Sequence, residues 1–204
     1  MTQTPDNRRL VLEARNGNRD AFKAIYECYG ARIHNFLYRL LGSKSEAEDA
    51  TQQTFLIALS RLETLRDPDL LESWIYRIAR NEVYQKYRRK RLDSLEELDD
   101  EDRSQAFAER TPDLRLHGQP EKALLNEELA EALQSALNSL PLKLREVFVL
   151  AVVEEMSYQE ISAIVGRSLL SVKTDIYHAR LIAKQKLSHY LTLGRKVTTP
   201  GSNK

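Results

Sequence analysis

Between Trp74 and Arg91 the sequence WIYRIARNEVYQKYRRKR places seven basic residues and four aromatics beside a single acid. Cations hold a phosphate strand, and interleaved aromatic rings offer faces on which unpaired bases stack, so this composition suits single-stranded nucleic acid. Taken singly, Trp74 reads as core, and the basic end as a solvated surface; the assembled stretch favours nucleic acid. A second constellation lies between Ser157 and Tyr190. SYQE (Ser157–Glu160) is a capping box, GRS (Gly166–Ser168) is a tight turn, and Ser168 is placed to cap a further helix. The resulting helix, turn, helix unit has the dimensions of a DNA-reading motif, although an ordinary α-hairpin has the same outline. On its second helix Val172, Ile176, Ala179, Ala183, Leu187 and Tyr190 form one apolar stripe. At 100° per residue from Val172, Lys173, Thr174, Tyr177 and His178 lie about 100–240° away, turned from the core toward a groove that admits one helix. Arg180, Lys184 and Lys186 follow, suited to phosphates.

A third pattern, SEAEDATQQTFLIAL (Ser45–Leu59), sets Asp49, Gln52 and Gln53 on one side of an amphipathic helix. By itself such a stripe reads as a solvated face. The sequence holds no G-x-S-x-G, Walker or dinucleotide-binding glycine pattern, and His34, His117, His178 and His189 are scattered without metal-ligand spacing. No catalytic residue, metal site or cofactor is therefore expected, and the chain reads as a binding protein rather than an enzyme.

These motifs need helices to present them. Seven Gly and six Pro in 204 residues, with apolar residues recurring at helical intervals, predict an all-α fold. Helices are expected over Arg19–Leu41, ended by Gly42; from Ser45, capped by Ser45 with Glu48, to Arg61; from about Leu71 to Arg91; around Leu125–Leu140; from Pro141 through VFVLAVV (Val147–Val153); from Ser157 to Val165; and from Ser168 to about Leu191. LETLRDPD (Leu62–Asp69) reads as a loop. Seven of the ten residues Asp93–Asp102 are acidic and no periodicity survives to Pro120, which marks a flexible, protease-sensitive linker. The net charge of +1 conceals +4 over residues 1–90, −5 over 91–120 and +2 over 121–204. Two mildly basic modules flanking an acidic tether suit two nucleic-acid contacts. Residues 1–91, 92–120, 121–193 and 194–204 are the expected first module, linker, second module and disordered tail. Cys28, the single cysteine, is expected on the apolar face of its helix and excludes an intrachain disulfide. With no apolar signal core and no spanning stretch, the chain is expected in the cytoplasm.

In their order, SEAEDATQQTFLIAL, SWIYRIARNEVYQKYRR (Ser73–Arg89) and LNSLPLKLREVFVLAVVEEMSYQEISAIVGRSLLSVKTDIYHAR (Leu137–Arg180) resemble the extracytoplasmic-function group of the sigma-70 family, over about residues 18–91 and 121–191. The resemblance implies a sigma-2-like bundle and a sigma-4-like helix-turn-helix, acting together as a sigma factor that gives RNA polymerase core its promoter choice. It places Asp49, Gln52, Gln53, Thr54 and Phe55 on the face that docks the clamp helices of the beta-prime subunit. It puts Trp74, Arg77, Arg80, Asn81, Tyr84, Lys86, Arg88 and Arg89 on the helix that grips the melted minus-ten strand, with Glu63–Asp69 around a flipped-base pocket. Ser171, Lys173, Thr174, Tyr177, His178, Arg180 and Lys184 face the minus-thirty-five element. Promoter DNA, polymerase core and an anti-sigma factor are the implied partners. Many members carry Gly at the position of Leu170 and Arg at those of Asp175 and His178. Asp175, projecting about 300° from Val172, is expected to escape phosphates or accept from a cytosine amine. The C-terminal half also resembles response-regulator output domains, and a plain helix-turn-helix regulator is the alternative.

Overall fold

The computed structural model describes residues 6–96 and 130–197, and all regular elements among them are helical. In the first module α1 (Asn7–Arg15) is a helix that the sequence reading did not anticipate; the Asp6 carboxylate caps it, accepting from the Arg9 N–H at 3.1 Å. Its apolar contribution is short, Leu10 and Val11, and tertiary contacts hold it: Arg15 donates to the Leu62 carbonyl at 3.1 Å, and the Tyr29 hydroxyl donates to Asn7 Oδ1 at 2.9 Å. α2 spans Arg19–Leu41 as expected, with Asn18 as its cap and Gly42 ending it at φ 73°. A Cβ at Gly42 would also crowd the Asn138 side chain at 3.2 Å. α3 spans Lys44–Arg61 and is capped by Ser43, not Ser45: the Ser43 Oγ accepts from the Glu46 N–H. The cap moves because Gly42 turns the chain immediately before Ser43, which leaves Ser43 extended (φ −128°, ψ 127°) in the cap geometry.

The expected loop contains two single-turn 3-10 helices, Leu62–Thr64 and Pro68–Leu70. α4 (Leu71–Glu96) runs past Arg91 into the acidic stretch expected to be linker, since Leu92 to Glu96 contains no helix breaker. Lys90 anchors this end to Glu46 of α3 at 2.6 Å. Ile25, Ile33, Phe36, Leu37, Leu71, Ile75, Tyr76 and Val83 are buried between α2, α3 and α4. Cys28, expected on the apolar face of α2, is exposed; Ile25 and Tyr29 take the inward positions beside it.

In the second module residues 130–138 are helical (α5), followed by α6 (Leu142–Val152), α7 (Tyr158–Val165) and α8 (Leu169–Val197). Both halves of the Ser157–Glu160 capping box form, Gly166 ends α7 at φ 67°, and Ser168 accepts from the Ser171 N–H at 3.2 Å. α8 extends beyond Leu191 through Gly194, so residues 194–197 are helical rather than disordered tail; one glycine costs a helix only about 1 kcal/mol. The rest of the expected tail, the linker from 97 to 120, and Leu125 and Leu129 of the expected following helix lie outside the described residues.

The modules pack directly on each other, α2 against α6 and α4 against α7, and their buried side chains form one continuous apolar cluster. At one end of the seam buried Arg145 donates to the Leu40 carbonyl at the C-terminus of α2 (2.7 Å), and to the Asn138 and Leu140 carbonyls. Gln134 donates to the Arg39 carbonyl beside it at 3.2 Å. These donors satisfy carbonyls that a helix end leaves open. At the other end Glu155 adopts a left-handed backbone, φ 55°, between α6 and α7. Its neighbour Glu154 reaches the first module, where it accepts from the Tyr76 hydroxyl and pairs with Arg32 at 3.3 Å.

Candidate nucleic-acid interface

On α4 the residues Trp74, Arg77, Asn81, Tyr84 and Arg88 fall at helical intervals along one side. Arg77, Asn81, Arg88 and Arg89 are exposed, while Trp74, Arg80, Tyr84 and Lys86 are half-buried. Trp74 borders a cavity of about 540 Å³ that Thr64, Arg66 and Asp67 line together with Gln159, Glu160 and Ala163 of α7. Arg80 is not free: its guanidinium lies over the Tyr84 ring, 4.4 Å from the centroid, and its Nε donates to Glu146 at 2.8 Å.

Glu146 comes from α6 of the second module and is fully buried. Burial pushes its carboxyl above the usual range, while Arg80 and then Arg167 pull it back toward the charged form. Arg167 pairs with Glu146 at 2.6 Å and with Asp175 through its other nitrogen. Burial raises the Tyr84 hydroxyl, and the charge on Glu146 raises it further.

On α8 the expected division holds geometrically over residues 172–184; Leu187 of the expected stripe is only partly buried, and the Tyr190 side chain lies outside the described residues. Val172, Ile176, Ala179 and Ala183 are buried, whereas Lys173, Thr174, Tyr177, His178, Arg180 and Lys184 are exposed and Ser171 partly so. Tyr177 and His178 stand side by side with ring centroids 5.8 Å apart. Asp175 departs from the expectation. It is buried, held by Arg167, by Lys143 at 3.3 Å and by the Ser171 hydroxyl, and is therefore not turned toward a base. Its 300° projection, which on an isolated helix is a flank, here meets α6 and the turn before α8.

On α3, Asp49, Gln52 and Gln53 are exposed together. Thr54 and Phe55, expected on the same docking face, are buried: the Thr54 hydroxyl returns to the Ala50 carbonyl at 2.6 Å, and Phe55 meets Tyr26 edge-on at 4.8 Å. They shape the helix from beneath rather than forming its surface. The sequence reading missed Leu56 and Leu59, exposed beside Gln52 and Gln53; their i+4 and i+7 offsets from Gln52 were the available signal. It also missed Glu146 and Arg167: Arg167 stood inside the GRS turn, read only for its backbone, and Glu146 stood next to the VFVLAVV run. Among the described residues no group of three or more His, Cys, Asp or Glu is placed to hold a metal, and no helix is long and apolar enough to cross a membrane.

Residues 25–92 match the family model for Sigma-70 region 2, and residues 130–181 that for Sigma-70, region 4. The ECF RNA polymerase sigma factor SigW of Bacillus subtilis is 30% identical over 187 residues, which cover 88% of this chain and 96% of that protein. Two solved structures share the fold: CnrH in complex with the cytosolic domain of CnrY (TM-score 0.66, 24% identity, 90% of this chain and 97% of that one) and the sigma factor RpoE with the anti-sigma factor NepR from Bartonella quintana (TM-score 0.65, 22% identity, 82% and 96%).

Proposed function

The chain belongs to the extracytoplasmic-function group of the sigma-70 family of RNA polymerase sigma factors, and on that footing we propose how its surfaces share the work of starting transcription. It binds polymerase core and directs it to promoters. The observation that carries this is the occurrence of both family regions, in order, over residues 25–92 and 130–181. The exposed Asp49, Gln52 and Gln53 of α3, joined by Leu56 and Leu59, are the polymerase-docking face. Trp74, Arg77, Arg80, Asn81 and Tyr84, with Lys86, Arg88 and Arg89, hold the melted minus-ten strand, and the cavity at Trp74 receives an unstacked base. Lys173, Thr174, Tyr177 and His178 read the minus-thirty-five element while Arg180 and Lys184 anchor on phosphates. Strand opening then follows from capture of unpaired bases, with no covalent step, no cofactor and no enzymatic activity of the chain itself. The cytoplasm is the place of action. An anti-sigma protein is among its partners, a reading supported by the likeness to a sigma factor solved with such a protein.

Run-off transcription with purified core polymerase on a promoter library tests the proposal. Template-selective transcripts that require the chain are expected. Duplex binding without any effect on core polymerase would replace the reading with that of a plain helix-turn-helix regulator.

A further inference from the structure

The outer face of α8 carries large apolar side chains that the core does not use. Leu170, Tyr177 and Leu181 are 75%, 64% and 59% exposed, and no other large apolar side chain among the described residues is as open as Leu170. One exposed leucine is ordinary on a protein surface. These three are aligned: measured from buried Val172, Leu170, Tyr177 and Leu181 lie at about 160°, 140° and 180°, with Thr174 at about 200° among them. They form the ridge opposite the core. The Thr174 hydroxyl donates to the Leu170 carbonyl at 3.0 Å, so its proton is already committed within the helix. The cations stand aside from the ridge. Lys173, Arg180 and Lys184 are exposed on one flank, at about 80–120° from Val172, where they suit phosphates rather than base edges. Leu170 is the second residue of α8, inside the first turn after the Ser168 cap, and the N-terminal residues of a groove-reading helix are those that meet the bases.

We propose that Leu170 is a specificity residue for the upstream element: its side chain packs on the C5-methyl group of a thymine in the major groove, and the chain thereby prefers an A·T pair at that position. The proposal rests on the reading of α8 as the minus-thirty-five helix. The chemistry of the groove selects the base. Every other major-groove edge group donates or accepts a hydrogen bond, and the thymine methyl is the apolar one. Leucine against that methyl removes apolar surface from water on both sides, which is favourable. Set against a G·C edge, the same side chain covers donors and acceptors without replacing their water partners, which is costly. Both effects disfavour the wrong pair. A partner protein is the competing occupant of such a ridge, and the flanking cations favour DNA.

Deoxyuridine lacks that methyl and keeps the pairing of thymine, so it tests the contact from the DNA side. The full chain is assembled with polymerase core, and its preferred promoter is taken from a randomised library. Each thymine of the upstream element, on either strand, is then replaced singly by deoxyuridine, and anisotropy of the labelled duplex reads holoenzyme affinity. For wild type one replacement is expected to weaken binding about fourfold, the gain from burying one methyl group. Leu170→Gly, with no side chain to place on the methyl, should bind the two duplexes equally. Leu170→Gln keeps the helix propensity that glycine forfeits and should be equally blind to the methyl, so it decides the matter should Leu170→Gly fail to fold. Helical circular dichroism is the folding control. If no replacement weakens wild type, or if one weakens wild type and the folded variants alike, Leu170 makes no methyl contact and the proposal is overturned. Tyr177→Ala, run on the promoter library, separates the two levels. A changed preference with that variant keeps α8 as the reading helix even when Leu170 fails, whereas silence from Tyr177 and Leu170 variants together removes the reading of this face as well.

Discussion

The two helices assigned to DNA differ in readiness. α8 exposes Lys173, Thr174, Tyr177 and His178 to solvent, with its apolar stripe on the opposite side. α4 is an inner helix, packed by α2, α3 and α7, and its Arg80 and Tyr84 are half-covered. Basic residues alone do not explain the contrast, since both helices carry them in similar number, seven Lys and Arg on α4 and six on α8. Position in the fold does: a helix with neighbours on several sides can offer a cationic face only when one neighbour leaves, whereas a helix at the edge offers it at once.

The largest effect is expected where a face is open and needs no rearrangement. Asp49→Arg with Gln53→Arg on α3 should abolish co-purification with polymerase core and leave helical circular dichroism intact. Retained core binding would place docking elsewhere. The next effect lies in the seam that covers α4. Arg145→Ala removes the donor to the Asn138 and Leu140 carbonyls and leaves the Leu40 carbonyl only the Tyr87 hydroxyl at 3.3 Å, and urea unfolding should show a loss of about 3 kcal/mol. A loss below about 1 kcal/mol would mean that the seam adds little and that α4 is nearly as accessible as α8. The smallest effect concerns α8 alone. Tyr177→Ala or His178→Ala should each cost about 1–3 kcal/mol at one promoter position, while Lys184→Ala weakens all sequences alike and lowers the salt slope by about one. Transcription from promoters randomised across the upstream element separates these, and a changed preference in Lys184→Ala alone would put the other face of α8 in the groove.

What was legible in the sequence is what local chemistry determines. Gly42 ends α2, and the Ser157–Glu160 box with Gly166 and Ser168 defines the α7–α8 turn, because each signal acts within one helical turn. The outward residues of α8 followed from the stripe opposite them. Illegible features depend on partners far along the chain. α1 is short and is held by Leu62 and Tyr29; Asp175 finds Arg167 and Lys143; and Arg80 meets Glu146, 66 positions away. Thr54 and Phe55 show the same limit from inside a recognised motif, since resemblance placed them on a face and packing put them beneath it.

The charged character of the seam has a consequence for temperature. Hydration of ions becomes less favourable on warming, so the cost of drying Arg80 and Glu146 falls as the protein is heated, whereas apolar stabilisation levels off. An all-hydrocarbon seam would lack that gain. The ion pair that crosses the seam is thus strengthened, relative to the apolar cluster around it, by the heat that loosens the rest of the molecule.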